Sequence, residues 1–201
     1  SNGETGGFTL TLKAYGNGSC NPVFNTMALV VTPEPECNAG SNEETCQGVA
    51  IDLNNSLTPP MASEYSTLNW TSTGSGSFDD NSILRPTYTP NPNETGTIKL
   101  YLQANGNGSC IAVVDAMELA ITPLPVPFAG CDGETCKGNA KDLATLSSPP
   151  TVSAHSSIEW SHDGAGLLDD NTTLEPTYTP SGSETGTVEF ILKANGNGSC
   201  P

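Results

Sequence analysis

The sequence predicts an all-β protein made of tandem β-sandwich repeats of 90 residues, and three observations carry that expectation. First, blocks recur at one spacing without insertion. Glu4-Thr5-Gly6 returns as Glu94-Thr95-Gly96 and Glu184-Thr185-Gly186, and Asn17-Gly18-Ser19-Cys20 returns at 107–110 and 197–200. Trp70 and Trp160, and Tyr88 and Tyr178, keep the same offset, which marks tandem duplication. Second, apolar residues alternate with a period of two over several short stretches. Third, Gly, Pro and Asn punctuate the chain so often that no helical period runs for about ten residues.

Each element can be justified in turn. Phe8, Leu10, Leu12 and Ala14 fall on one face of a strand, as do Ile98, Leu100, Leu102 and Ala104, and Val188, Phe190, Leu192 and Ala194. Asn105-Gly106-Asn107-Gly108 then supplies the positive-φ residues of a tight connection. The second arm of that hairpin alternates through Met117, Leu119 and Ile121, matched by Met27, Leu29 and Val31. Val49 to Leu53 reads as another strand, while its counterpart Asn139 to Leu143 carries Lys141 in place of Ile51 and is expected to be weaker or more exposed. Leu68-Asn69-Trp70 and Ile158-Glu159-Trp160 open a further strand, Gly74-Ser75-Gly76 and Gly164-Ala165-Gly166 mark a turn, and Thr87-Tyr88-Thr89 is a short strand before Pro90.

These elements divide the chain into 1–36, the closing strands of one repeat with a linker; 37–126, a complete repeat with its linker; and 127–201, a repeat truncated before its last strand. The joints, Pro33-Glu34-Pro35-Glu36 and Pro123-Leu124-Pro125-Val126-Pro127, alternate prolines and are expected to be short, semi-rigid polyproline II segments. A window that opens and closes inside a repeat reads as a length of a longer array.

Composition narrows the function. A formal charge of −16, from 22 acidic and 6 basic residues, argues against nucleic acid, whose phosphates need a basic surface. It argues equally against an anionic membrane surface, and no apolar run approaches the roughly 18–20 residues of a membrane span. Acidity suits solubility, salt tolerance or divalent-cation binding. Seven cysteines point to an oxidising compartment.

Every repeat carries one cysteine ahead of its first clear strand (Cys46, Cys136) and one after the Asn-Gly hairpin (Cys20, Cys110, Cys200). Cys46 and Cys110, like Cys136 and Cys200, bracket a tryptophan. Bonds Cys46–Cys110 and Cys136–Cys200 would clamp early to late parts of a sandwich, each contributing roughly 4 kcal/mol, and would leave Cys20 without a partner. Cys37 and Cys131 are out of step, aligning with Pro127 and Ser41. They keep open Cys37–Cys46 or Cys131–Cys136, and Cys20–Cys37 with Cys110–Cys131 across the joints; otherwise Cys20, Cys37 and Cys131 are free thiols. A zinc site is a poor alternative, because the lone Cys-x4-Cys at Cys131 is absent from the other repeat.

Candidate chemistry is sparse. His155 and His162 align with Tyr65 and Ser72, and a catalytic pair present in one copy only is not expected. No phosphate loop, nucleophile elbow or HExxH pattern occurs. Asp79-Asp80-Asn81 and Asp169-Asp170-Asn171 are the candidate calcium ligands, three oxygen-bearing side chains in succession beside a Gly-rich turn. The competing reading is that Asp and Asn bond their own backbone to shape that turn. Trp70 and Trp160 share strand phase with Leu68 and Ile158, so they read as core residues between two sheets, with Tyr88 and Tyr178, rather than as a sugar platform.

The order Ala39-Gly40, Glu44 to Gly48, Trp70-Thr71, Gly74 to Gly76, Leu84 to Pro90, Glu94 to Thr97 and Ala104 to Cys110, repeated 90 residues later, resembles the Ig-like/PKD-like repeats of giant Bacteroidetes surface adhesins. The nearest type is the SprB-like gliding-motility adhesin. The resemblance covers essentially the whole chain and implies Ig-like sandwiches, type IX secretion, an extracellular or cell-surface location and no catalytic residues. Cys37 and Cys131 depart from the usual two-cysteine unit. The sequence is therefore expected to be an adhesive, structural segment of a secreted filament, a disulfide-stapled stalk without a cofactor unless calcium. Its partners are neighbouring repeats and, in other readings, like molecules joined by strand complementation in a fibre or a surface polysaccharide bound by a module array.

Overall fold

The computed structural model describes residues 5–198 and 200. The chain is almost entirely β, as the alternation and punctuation require. In the first repeat, β1 (Gly6–Ala14) and β2 (Val23–Val31) form an antiparallel hairpin with Leu10 opposite Met27 and Phe8 opposite Leu29.

The second repeat holds β3 (Glu36–Asn38), β4 (Glu43–Cys46), β5 (Ile51–Asp52), β6 (Met61–Ser63), β7 (Tyr65–Ser72), β8 (Ser77–Phe78), β9 (Thr87–Thr89), β10 (Gly96–Gly106) and β11 (Val113–Thr122). Its main sheet runs β4-β11-β10-β7, and the smaller sheets are β5-β9-β8 and β3-β6. All contacts in the main sheet are antiparallel except β4 against β11, which is parallel and sets Cys46 beside Thr122. Between these layers Leu53, Leu68, Trp70, Tyr88, Leu100, Leu102, Met117, Leu119 and Ile121 form one core. Trp70 is 1% exposed and Tyr88 is fully buried.

The third repeat holds β12 (Val126–Phe128), β13 (Lys141–Asp142), β14 (Thr151–Ser153), β15 (His155–His162), β16 (Leu167–Leu168), β17 (Thr177–Thr179) and β18 (Phe190–Gly196). Its sheets are β12-β14, β13-β17-β16 and β15-β18. Pro127 lies within β12, an edge strand where its missing N–H costs no ladder bond. Its core is smaller: Leu143, Trp160 and Leu192, with Ile158, Leu168, Leu174 and Phe190 half-buried around them.

Two local expectations change. The strand sought in Val49 to Leu53 is only Ile51–Asp52, because Leu53–Asn55 turns into a 3-10 helix capped by Asp52, whose carboxylate accepts from Asn54 N at 2.9 Å. Its counterpart is no weaker: Lys141–Asp142 pairs with Tyr178 and Thr177, and Asp142 accepts from Ala144 N at 2.9 Å. Backbone pairing and the Asp cap hold this strand, so exchanging Ile51 for Lys141 leaves it in place.

The second repeat should therefore respond to truncation at the β10–β11 core far more than the first. Leu119→Ala is expected to cost about 2–5 kcal/mol, whereas Leu29→Ala, at the matching but 45% exposed position, should change stability by under about 0.5 kcal/mol. Urea unfolding monitored by far-UV circular dichroism measures both.

Candidate functional site

The candidate site is the contact between successive repeats. Cys46 closes β4 and begins a tight turn. Val49 N donates to Cys46 O at 2.9 Å, Thr45 Oγ1 donates to Val49 O at 2.9 Å, and Gly48 takes φ +73°. Gln47 binds this turn to the start of the linker. Its N–H donates to Thr122 O at 2.8 Å, and its side-chain oxygen accepts from Leu124 N at 3.3 Å. From the third repeat, the turn after β18 brings Cys200 into this corner, and Cys46 and Cys200 are disulfide-bonded with Cα atoms 5.4 Å apart. Both are buried, and Cys200 Sγ lies 3.8 Å from Thr122 O.

The joint before it has the same construction. Cys110 Sγ lies 3.6 Å from Thr32 O and 3.5 Å from Pro33 O, so the hairpin turn of the second repeat rests on the end of β2 as that of the third rests on the end of β11. Cys110 N and Cys200 N each donate to the Asn three residues earlier at 3.1 Å. Gly106 is required here, since a Cβ on it would stand 2.5 Å from Cys110 O.

The bond Cys46–Cys200 replaces the expected Cys46–Cys110 and Cys136–Cys200. The reason is topological. Because β4 runs parallel to β11, Cys46 sits at the Thr122 end of β11, whereas Cys110 precedes its Val113 end. Ten residues of strand at about 3.3 Å each put these two cysteines roughly 30 Å apart. The next repeat's hairpin cysteine, by contrast, arrives at the Thr122 end. The alternatives across the joints or within the loops do not form either: Cys20, Cys37, Cys110, Cys131 and Cys136 are free thiols. Cys37 donates to Leu102 O at 3.5 Å, and burial, with the Asp115 carboxylate beside it, pushes its thiol pKa up. Cys131 Sγ lies 3.0 Å from Ser147 Oγ and accepts from Ser148 N at 3.1 Å.

The two Asp-Asp-Asn segments are placed alike. Asp79 Oδ1 accepts from Asp80 N at 2.7 Å and Thr87 N at 2.8 Å, and Asp80 Oδ1 accepts from Ser82 N and Oγ at 2.9 and 2.6 Å. Asp169 repeats this with Asp170 N and Thr177 N, both at 2.8 Å, and Asp170 with Thr172 N and Oγ1 at 2.8 and 2.7 Å. Asn81 O and Asn171 O accept from Trp70 N and Trp160 N at 2.8 and 2.7 Å. These side chains tie the turn to the strands on either side. Among the described residues no group of three or more His, Cys, Asp or Glu side chains converges as a metal site. The Thr87 N–H holds the Asp79 carboxyl below its ordinary pKa, and Ser82 and Thr172 do the same for Asp80 and Asp170.

Sequence reasoning missed Glu94 and Glu184, although their signal, the recurring Glu-Thr-Gly, was in plain view. Tyr88 OH accepts from Gly76 N at 3.1 Å and donates to Glu94 Oε2 at 3.2 Å, while Glu94 Oε1 accepts from Ser75 N at 2.6 Å. Tyr178 OH takes the Gly166 N–H at 3.0 Å and meets Glu184 at 2.9 Å, and Glu184 accepts from Ala165 N at 2.7 Å and Ser181 N at 3.0 Å. Burial raises the pKa of both tyrosines. Burial also acts against the charge of Glu184, but the Ser181 and Ala165 N–H groups outweigh it and hold the carboxyl below its usual value. Trp160 and Tyr178, 2% and 4% exposed, belong to the third core, so neither tryptophan offers a ring to a sugar. His162 packs edge-on against Tyr178 with centroids 5.0 Å apart.

No protein-family model and no curated protein matches this chain. A solved three-Ig-domain structure of titin, a Glu-to-Ala variant, is similar over 98% of this chain and 72% of its own, with TM-score 0.52 and 13% identity, which shows an Ig-like fold. An endo-fucoidan hydrolase of glycoside hydrolase family 107 aligns with 96% of this chain and 33% of its own at TM-score 0.33 and 15% identity, too low to carry an argument.

Groups whose folded pKa is depressed stabilise the fold above their unfolded pKa and lose that contribution as pH falls through the folded value. The melting temperature is therefore expected to fall as pH drops below the ordinary carboxylate range of about 4. Asp80→Asn with Asp170→Asn keeps the acceptor oxygen and removes the titration. The double variant should show a shallower acid decline by calorimetry, and an unchanged slope would assign that decline elsewhere.

Proposed function

We propose that the chain is a load-bearing structural segment of a long extracellular filament, in which Ig-like repeats are stapled to one another at their joints. The observation that carries this reading is the position of the Cys46–Cys200 bond. It spans 154 residues and joins one repeat to the next rather than closing a single sandwich. A chain pulled from both ends transmits tension through that bond, so residues 47–199 lie inside a covalent loop and add almost no length under load. The proline joint, held by Gln47 and crossed by the staple, resists bending as well as extension.

Several observations support the setting. A disulfide of this kind persists in an oxidising compartment. The chain is acidic, its tryptophans are committed to cores, and its neighbour titin is an Ig-domain structure, all of which suit a spacer better than an enzyme. The repeat blocks and their resemblance to gliding-motility adhesins favour a secreted surface adhesin, exported by a type IX system, as the parent of this segment.

Single-molecule stretching tests the reading. At about 3.3–3.6 Å per extended residue, the oxidised chain is expected to yield roughly 500 Å less contour length than the reduced chain. A Cys46→Ser variant should behave as the reduced protein. Release of only about 200 Å per repeat would mark intra-repeat clamps, and no difference would remove the staple from the load path.

A further inference from the structure

Residues that recur between the repeats serve the fold, so a surface that differs at matching positions is free to serve something else. The outer face of the β4-β11-β10-β7 sheet differs in this way. Tyr101 and Gln103 point outward from β10, alternating with the buried Leu100, Leu102 and Ala104. Asn69 and Thr71 do the same on β7, beside the buried Leu68 and Trp70. The third repeat pairs the same strands in the same register, yet it has Ile191, Lys193, Glu159 and Ser161 at those four positions. The first repeat has Thr11 and Lys13 in place of Tyr101 and Gln103. Since β15 and β18 form with other residues there, the strands themselves do not call for Tyr101, Gln103 or Asn69.

The neighbours of Tyr101 leave its ring open. It lies between Ala116 of β11 and Thr71 of β7, both small, and is half-buried rather than enclosed. Gln103 follows on the same strand between Val114 and Asn69. Outward positions on one strand stand about 6.8 Å apart and neighbouring strands about 4.8 Å apart, so ring and amides share one flat face. The amides are also held in place. Gln103 Nε2 donates to Asn105 Oδ1 at 2.8 Å, and Asn69 Oδ1 accepts from Asn81 Nδ2 at 3.1 Å. Each amide thereby uses one end on the protein, which leaves Gln103 Oε1 to accept and Asn69 Nδ2 to donate. This face is uncharged, although the chain carries a formal charge of −16. At its margin Lys99 and Glu118, 4.0 Å apart, balance one another.

We propose that this face binds an internal stretch of an uncharged polysaccharide. A sugar ring has an apolar C–H face, which stacks on Tyr101, and rim hydroxyls that both donate and accept, which suit Asn69 Nδ2 and Gln103 Oε1. A flat face open along its strands takes the middle of a polymer, where a pocket would take an end. Charge selects the ligand. An anionic polymer meets the repulsive field of the whole acidic chain, and a cationic one finds no carboxylate at the centre of the face. A protein partner needs a wider apolar patch than Tyr101 and Val114 supply.

Native electrophoresis of the intact 201-residue chain tests this, in gels containing hydroxyethylcellulose, laminarin, galactomannan or dextran, with alginate as the anionic polymer. At least one neutral polymer should retard the chain, and alginate should not. Tyr101→Ile with Gln103→Lys and Asn69→Glu gives the second repeat the outward residues of the third and leaves the net charge unchanged. This triple variant should keep its melting temperature and bind at least about tenfold more weakly, the loss expected for one stacked ring. Tyr101→Thr alone, the residue of the first repeat, should lose about as much, whereas Tyr101→Phe keeps the ring and should bind as the parent does. The inference is overturned if no neutral polymer retards the chain, if alginate retards it as strongly, or if Tyr101→Thr is retarded like the parent. None of these residues belongs to the Cys46–Cys200 corner, so the load-bearing reading is judged apart.

Discussion

The double pairing of β11 organises this molecule. One edge of β11 lies antiparallel against β10 and carries Met117, Leu119 and Ile121 into the core; the other lies parallel against β4. The first pairing closes the sandwich. The second turns an irregular acidic segment into a strand and delivers Cys46 to the end of the domain. The third repeat serves as an internal control, because it shares the sequence pattern but has no described counterpart of β11. There Val188 and Phe190 are only half-buried, residues 133–136 form no strand, and Cys136 is an exposed thiol. One strand thus sets the size of the core and the position of the staple.

Much of the fold was legible because its causes are local. Period-two alternation marks strands whatever their partners, and Asn-Gly runs mark the hairpin turns whose positive φ they tolerate. The indoles were legible from their phase with Leu68 and Ile158. The disulfide was not, and the reason lies in the repetition. In a chain with a fixed period, Cys46 to Cys110 and Cys46 to Cys200 are the same pair of repeat positions, one within a unit and one between units. Spacing carries no information that separates them. Only the direction of β4 does, and the pattern Glu43 to Cys46 is silent on whether its neighbour runs parallel or antiparallel.

The Glu94 and Glu184 cradles show a second limit. A repeated Glu-Thr-Gly looks like turn chemistry, and the Gly is turn chemistry, with φ +89° at Gly96 and +105° at Gly186. The Glu serves a different purpose. It gathers backbone N–H groups from the Gly-rich turn and from the Pro-terminated corner, and anchors both to a buried tyrosine hydroxyl. A polar group enters the core edge because its donors come from loops that would otherwise be unsatisfied there. Repetition in such a chain marks what the fold needs, and the Asp-Asp-Asn turn belongs with this class by its hydrogen bonds.

In the filament we propose, placing the disulfide between repeats changes what a disulfide does. A clamp inside each sandwich protects that sandwich and leaves every linker to carry tension alone. A staple from the end of one repeat to the hairpin of the next takes the load off the linker and off the strands of both repeats at once. Overlap extends the effect. If each early cysteine reaches the hairpin of the following unit, successive covalent loops enclose one another's boundaries and no stretch of backbone lies outside a loop.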